Sequence, residues 1–288
     1  MTTTYDRRRE DVGNIIALEH VNLAIPDQQL ATAFYIAGMG FTRDPFLFPG
    51  LENMWVNIGR SQCHLPSRGT QRLRGTIGIV VPDLQKLALR LEKTAPRLSG
   101  TQFAYSLHAD RVDAICPWGN RFRCHAPCAE FGTMELGMPY VEFDVPGGSA
   151  DGIARFYREL IGAPSVLEQR DGAVVAAVVS GPEQKLLFRE TAAPLPAYDN
   201  HHIQIYIADF SGPHDALLKR GLITEESNPH QYRFRDIVDP AGGKLLYTVE
   251  HEVRSITNPL YARPLINRNP DQSNNAYFRG QDHFRGSY

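Results

Sequence analysis

Four stretches of the chain alternate apolar and other residues with period two and stop at a turn residue. They are LEHVNLAIPD (18–27), RGTIGIVVPD (74–83), MPYVEFDVPG (138–147) and NHHIQIYIAD (200–209). This alternation predicts strands buried on one face. Behind each comes a segment with apolar residues three and four apart and Gly or Pro at its end: QQLATAFYIAGMGF, LQKLALRLEKTAP, ADGIARFYRELIGAP and FSGPHDALLKRGL. That is the period of a helix and its stop signal. Short alternating strands follow, as in MWVNIGRSQCHLP and GAVVAAVVSGPEQKLLFRE. Each unit therefore reads as one strand, one helix and then about three strands. The residue seven before each turn is His20, Thr76, Tyr140 and His202, at intervals of 56, 64 and 62 residues. Regular repetition of one supersecondary unit predicts an α+β protein of four βαβββ modules, taken in pairs as two domains. The expected division is an N-terminal arm (1–15), a first domain (16–130), a second domain (136–253) and a C-terminal tail (254–288).

Neighbouring residues on a strand face opposite ways, so the phase of the alternation separates two faces. Val21, Leu23 and Ile25 are the apolar set of the first strand and are expected under the helix; His20, Asn22 and Ala24 then face the open side. The same phase puts Thr76, Gly78 and Val80, then Tyr140, Glu142 and Asp144, then His202, Gln204 and Tyr206 on that side. The polar residues on these strands share a destination in a cleft. An open sheet face meeting water is the other reading of the same pattern.

HVNLAIPD with AFYIAGMGF in the first unit, ARFYRELIGAP in the third, and the hairpins PWGNRF and DPAGGKLL closing the second and fourth resemble the vicinal oxygen chelate superfamily. That superfamily holds glyoxalase I, bleomycin-resistance proteins, fosfomycin-resistance transferases and extradiol ring-cleaving dioxygenases. The resemblance covers roughly residues 16 to 250 and is specific for fold rather than for reaction. It implies two tandem domains of mixed curved sheets with helices on the outer face.

It also implies metal ligands on the first and last strands of both modules of a pair, holding a divalent ion such as Fe, Mn, Ni or Zn. In the first pair His20 and His64 take two such positions. Arg123 stands where Glu is usual, and His125 is the candidate third ligand. In the second pair His202 takes a ligand position opposite Tyr140, but Leu246 replaces the usual Glu, so the two-His, one-carboxylate set of the dioxygenases is not expected intact. Glu250, further along the strand, is the candidate substitute. His202 and Glu142 are the candidate acid or base groups. Asn22, Arg123, Tyr140, Gln204 and Tyr206 are the candidate substrate contacts, the guanidinium suiting an anionic substrate. The implied function is a metal-dependent small-molecule enzyme of dioxygenase, isomerase or lyase type with a degenerate site, acting on a small oxygenated organic molecule. A metal-free sequestering protein of the bleomycin-resistance type, or a metal-free enzyme using the second cleft, remain alternatives.

Composition narrows the picture. The chain has 288 residues, 42% of them hydrophobic, with a formal charge of −2, which fits two globular domains and argues against a nucleic acid partner. No apolar run approaches the roughly 20 residues of a membrane span, and MTTTYDRRREDV lacks the apolar core of a signal peptide, so a cytoplasmic protein without a membrane partner is expected. Cys63, Cys116, Cys124 and Cys128 form no CxxC pair and are expected to be reduced thiols. No GxGxxG or GxxxxGK[ST] follows a strand, so no nucleotide is expected. The tail after Ser255, with Tyr261, Tyr277, Phe278 and Phe284, could cover a cleft or bridge the subunits of a homodimer.

Overall fold

The computed structural model describes residues 6–47 and 52–266. The first module comprises β1 (Ile15–Asn22), α1 (Gln28–Ala31), β2 (Thr42–Arg43), β3 (Asn53–Ile58) and β4 (Ser61–Pro66). The second comprises β5 (Gly75–Val80), α2 (Leu84–Thr94), β6 (Ala104–Leu107), β7 (Arg111–Ile115) and β8 (Arg121–His125). The third comprises β9 (Gly137–Pro146), α3 (Ala150–Phe156), β10 (Ser165–Arg170), β11 (Ala173–Val179) and β12 (Lys185–Thr191). The fourth comprises β13 (His202–Ile207), α4 (Ser211–Leu218), β14 (Ile223–Asn228), β15 (Gln231–Val238) and β16 (Leu245–Ser255). The four βαβββ units expected from the sequence are present. Two helices start where the Pro-Asp turns predict: Asp27 Oδ1 accepts from the Gln29 and Leu30 amides, and Asp83 Oδ1 accepts from Lys86. α1 and α3 both widen into π-helical turns, Thr32–Gly38 and Tyr157–Ile161.

The strands form two eight-stranded sheets, ordered β14-β15-β16-β13-β1-β4-β3-β2 and β10-β11-β12-β9-β5-β8-β7-β6. Each sheet joins two modules through their leading strands, antiparallel in both cases: β1 with β13, and β5 with β9. The first module thus pairs with the fourth and the second with the third, which corrects the expected pairing of neighbours in sequence. The four leading strands carry the same alternation, so the pattern defines each module but not which one lies beside it.

The phase of β1 holds. Val21, Leu23 and Ile25 are fully buried in one core cluster with Phe34 and Tyr35 of the helix, while His20 and Asn22 lie on the other face. Among the described residues no helix is long and apolar enough to cross a membrane. Of the tail, the segment from Ile256 to Ile266 returns to the first sheet, with the Tyr261 ring 4.9 Å from that of Tyr206 and Leu265 O accepting from Asn57 Nδ2 at 3.0 Å. Tyr277, Phe278 and Phe284 lie outside the described residues.

Candidate metal centre

Register sets the site. Across the β1–β13 pair His20 lies opposite Gln204 and Asn22 opposite His202; on the far side of β13, β16 brings Glu250 beside His202 and Glu252 beside Gln204. Three strands from opposite ends of the chain thereby place His20, His202 and Glu252 so that one ligand atom of each lies within 4.8 Å of the others, with all three residues buried.

A β-bulge aims the first of them. The β1–β13 register shifts between Leu18 and His20, which makes Glu19 an extra residue in the strand. A regular strand would send Glu19 away from the cleft; the bulge turns it to the side of His20. Glu19 Oε2 accepts from His20 Nδ1 at 3.1 Å and Oε1 accepts from the Tyr206 hydroxyl at 3.1 Å. Burial alone would raise the Glu19 pKa, but the His20 hydrogen bond and the Arg254 charge outweigh it and hold the carboxyl below its usual value. With Nδ1–H engaged, His20 presents the Nε2 lone pair, the tautomer a metal ligand needs. Gln184, from the turn between β11 and β12 of the other sheet, pins the bulge. Its Oε1 accepts from Leu18 N at 3.1 Å, and its Nε2 donates to Leu18 O at 3.0 Å and to Ser61 Oγ at 3.1 Å. Gln184→Ala strips the bulge of these partners. We expect roughly 1–3 kcal/mol lower stability by denaturant melt and about tenfold weaker metal binding by chelator competition.

Two guanidiniums hold the carboxylate. Arg233 pairs with Glu250 and Glu252, and Arg254 pairs with Glu252 and, at 3.3 Å, with Glu19. Burial first, with the Arg233 and Arg254 charges adding to it, pushes the His202 imidazole well below its usual pKa, so it stays neutral and able to ligate. His202 Nε2 lies 3.6 Å from Glu252 Oε2. Among the described residues His20 Nε2, His202 Nε2 and both side-chain polar atoms of Gln204 are buried without a hydrogen-bond partner. Buried polar atoms are rarely left so, and the convergence of the two imidazoles on Glu252 fits a cation coordinated there.

Beside these three residues, His64 stacks on Trp55 with ring centroids 3.9 Å apart and an interplanar angle of 11°. Its Nε2 donates to Asn53 Oδ1 at 2.6 Å, and burial pushes it well below the ordinary imidazole pKa. Above lies a cleft of about 390 Å³ whose lining includes Asn22, Asn53, His64, Arg68, Gln71, Asn200, His202, Arg233 and Glu250.

The structure redistributes the residues expected from sequence. His20 and His202 meet in one site, with Asn22 in the cleft lining and Gln204 paired between His20 and Glu252 in the sheet. Tyr206 supports Glu19 from behind. His64 adjoins the ligand set as a neighbour, its Nε2 already engaged. His125 cannot join His20, because it lies on β8 of the other sheet, bonded through Nε2 to the Tyr140 hydroxyl at 2.9 Å. Where no intact two-His, one-carboxylate set was expected, His20, His202 and Glu252 form a cluster that could hold a metal ion. Leu246 packs instead at α3, where a Cβ on Gly152 would lie 2.5 Å from it. The β15–β16 register shifts between Phe234 and Asp236, and the extra residue in β16 lets Leu246 and Glu252, which share parity, lie on opposite faces.

Arg123, Tyr140 and Glu142 belong to the second sheet, where Thr76 pairs with Glu142, Gly78 with Tyr140, and Leu187 with Glu142 on its other side. Position for position, Thr76, Tyr140 and Leu187 stand where the first sheet has His20, His202 and Glu252. The Tyr140 ring occupies the room above Gly78, whose added Cβ would meet it at 2.4 Å, and Phe131, Val175, Ala177 and Leu187 complete an apolar cluster there. Burial raises the pKa of Glu142. The second concave face lacks the ligands and is filled.

No protein-family model matches the sequence, and no curated protein matches it. The structure is similar to that of a candidate dioxygenase from Bacillus subtilis (14% identity, 88% of this chain and 87% of that one, TM-score 0.56). It is also similar to glyoxalase I from Zea mays (13% identity, 84% and 92%, TM-score 0.56) and to the CppA protein of Streptococcus pneumoniae (12% identity, 84% and 98%, TM-score 0.50).

Proposed function

Since the chain has the fold of the vicinal oxygen chelate superfamily, we propose that its first-and-fourth-module cleft is the active site of a metal-dependent oxygenase. The substrate is a small organic molecule with two adjacent oxygens. The observation that carries this is the buried set of His20, His202 and Glu252 with its unpartnered imidazole nitrogens. Two imidazoles and one carboxylate with open positions suit non-haem Fe(II) or Mn(II) and dioxygen chemistry. The ion would polarise the two substrate oxygens and supply the site where dioxygen reacts.

The chain's own groups have defined parts. His20 Nε2, His202 Nε2 and Glu252 would hold the ion, and Glu19 fixes the His20 tautomer. His64 is neutral, held flat by Trp55 and committed through Nε2–H to Asn53, which leaves Nδ1 as a lone pair to take a proton from a substrate hydroxyl. Arg233 keeps Glu250 and Glu252 in place at the floor. A glyoxalase-like isomerase or a sequestering protein has no separate observation in its favour.

The test is metal analysis of untagged protein loaded with Fe(II) under argon, followed by oxygen uptake with ortho-dihydroxyarenes. One metal per chain is expected in the wild type and in His125→Ala, since His125 lies in the other sheet. Two metals per chain, or a share of the metal lost in His125→Ala, would overturn the assignment, as would full metal retention in a His20→Ala, His202→Ala double variant.

A further inference from the structure

The cleft over the metal centre is rich in polar side chains, but most are already committed. Gln71 Oε1 accepts from Ala24 N at 2.7 Å and from Asn22 Nδ2 at 3.3 Å, and its Nε2 donates to Asp199 O at 3.0 Å. Arg233 is bound to Glu250 and Glu252. Two donors of the lining differ. Arg68 has no acid within ion-pair distance and no side-chain hydrogen bond among the described residues, although its amide is anchored to Ile25 O at 3.0 Å. Asn200 likewise makes no side-chain hydrogen bond, and it keeps an amide at a left-handed position, φ 66°, where glycine would be the unstrained choice. Both open onto the cleft that holds His64 and His202. Arg68 is close enough to His64 for its charge to disfavour that imidazole's protonation.

Formal charge points the same way. Arg68, Arg233 and Arg254 balance Glu19, Glu250 and Glu252 around the site. A divalent ion on His20, His202 and Glu252 makes the balance positive by two, and the cation left without a partner stands at the cleft mouth. A guanidinium with free N–H groups takes a carboxylate in two parallel hydrogen bonds, and the Asn200 amide in the same cleft lining offers a further donor.

We infer that Arg68 and Asn200 form a carboxylate subsite, so that the substrate is an anionic molecule bearing a carboxylate on the side away from the two oxygens that reach the metal. The inference rests on the proposed metal centre for its orientation, but the subsite itself belongs to the chain. It makes Arg68 the residue that selects acidic over neutral substrates.

Calorimetric binding of 3,4-dihydroxybenzoate and of catechol to the Mn(II)-loaded protein under argon tests it, with metal content measured on the same samples. The wild type should prefer the carboxylated compound by roughly 10- to 100-fold, the range of one charge-assisted pair. Arg68→Gln should bring the ratio close to one with metal content unchanged, and Arg68→Lys should keep part of it. Asn200→Asp, which sets a like charge beside the subsite, should cut the preference without touching Arg68, and it carries the test if Arg68→Gln folds poorly. Equal binding of the two compounds by the wild type, or a preference unmoved in Arg68→Gln and Asn200→Asp, would overturn the subsite. An Arg68-dependent preference in protein that retains no metal supports the subsite and overturns the metal centre alone.

Discussion

Glu252→Ala is expected to abolish stable metal binding, weakening affinity more than about 100-fold, since loss of a direct ligand exceeds the 10- to 100-fold effect of outer-shell changes. Oxygen uptake should fall with it. The substitution has a second cost, which falls on the metal-free protein. In the wild type without metal, Glu252 and Glu250 neutralise Arg233, and Glu252 with Glu19 neutralises Arg254, all in a largely buried cluster. Removing Glu252 leaves two guanidiniums with one fewer carboxylate, and breaking a buried pair costs about 3–5 kcal/mol. Glu252→Gln should fall between, keeping some hydrogen bonds to the arginines while losing the charge and most of the metal affinity. The deciding measurement is thermal unfolding with and without metal. Wild-type protein should gain stability with metal concentration as ligand linkage requires, whereas Glu252→Ala and Glu252→Gln should show no gain. A metal-dependent rise retained in Glu252→Ala would mean that the ion sits elsewhere.

The comparison between the two sheets explains why one centre is expected rather than two. Duplicated modules place equivalent positions at the same register, so the second sheet has a geometrical counterpart for every ligand. Thr76 and Leu187 offer no ligand atom suited to a divalent ion, and the Tyr140 ring covers Gly78. The second pair therefore contributes structure, including Gln184, which reaches across to the bulge that carries Glu19 and His20.

Much of this was legible in the chain. Period-two alternation placed all four leading strands, helical spacing placed all four helices, and the phase of β1 put His20 and Asn22 on the cleft side. Three features were not legible, for physical reasons. The partner of each module depends on contacts between leading strands with the same alternation, so pairing by neighbourhood put His20 with His125 rather than with His202. Glu19 has the wrong parity for the cleft, and only a bulge held by a glutamine more than 160 residues away, at |i−j| = 166, turns it inward. Glu252 was overlooked because it shares the parity of Glu250, two residues earlier, and alternation cannot choose between them; the pairing of β16 with β13, which sets Glu252 beside Gln204, decides it. In each case the missing information lies between strands, whereas alternation reports only on the strand itself.

Arg263→Gln should be the most destabilising change outside the metal ligands. The Arg263 side chain is 1% exposed and that of Asp44 is 0%, and they pair at 2.8 Å. Asp44 accepts further bonds from Gln62 Nε2 at 2.8 Å and from the amides of Phe46 and Leu47, so its carboxylate is fixed in place and cannot turn to water when the arginine goes. Loss of the guanidinium then leaves a buried charge uncompensated, at a cost of about 3–5 kcal/mol. The consequence extends to the site, because Gln62 lies beside His20 in the parallel β1–β4 pair and also accepts from Arg263. Arg263 thus ties the segment after β16 to the strand beside His20. Asp44→Asn alone should cost less than Arg263→Gln, since an amide keeps the backbone bonds. The double variant should be less destabilised than the two single changes summed, giving a coupling of roughly 0.5–3 kcal/mol in a double-mutant cycle. Additive single effects would show that the pair contributes packing alone. A metal affinity unchanged in Arg263→Gln at a temperature where it remains folded would show that the segment braces β4 without positioning His20.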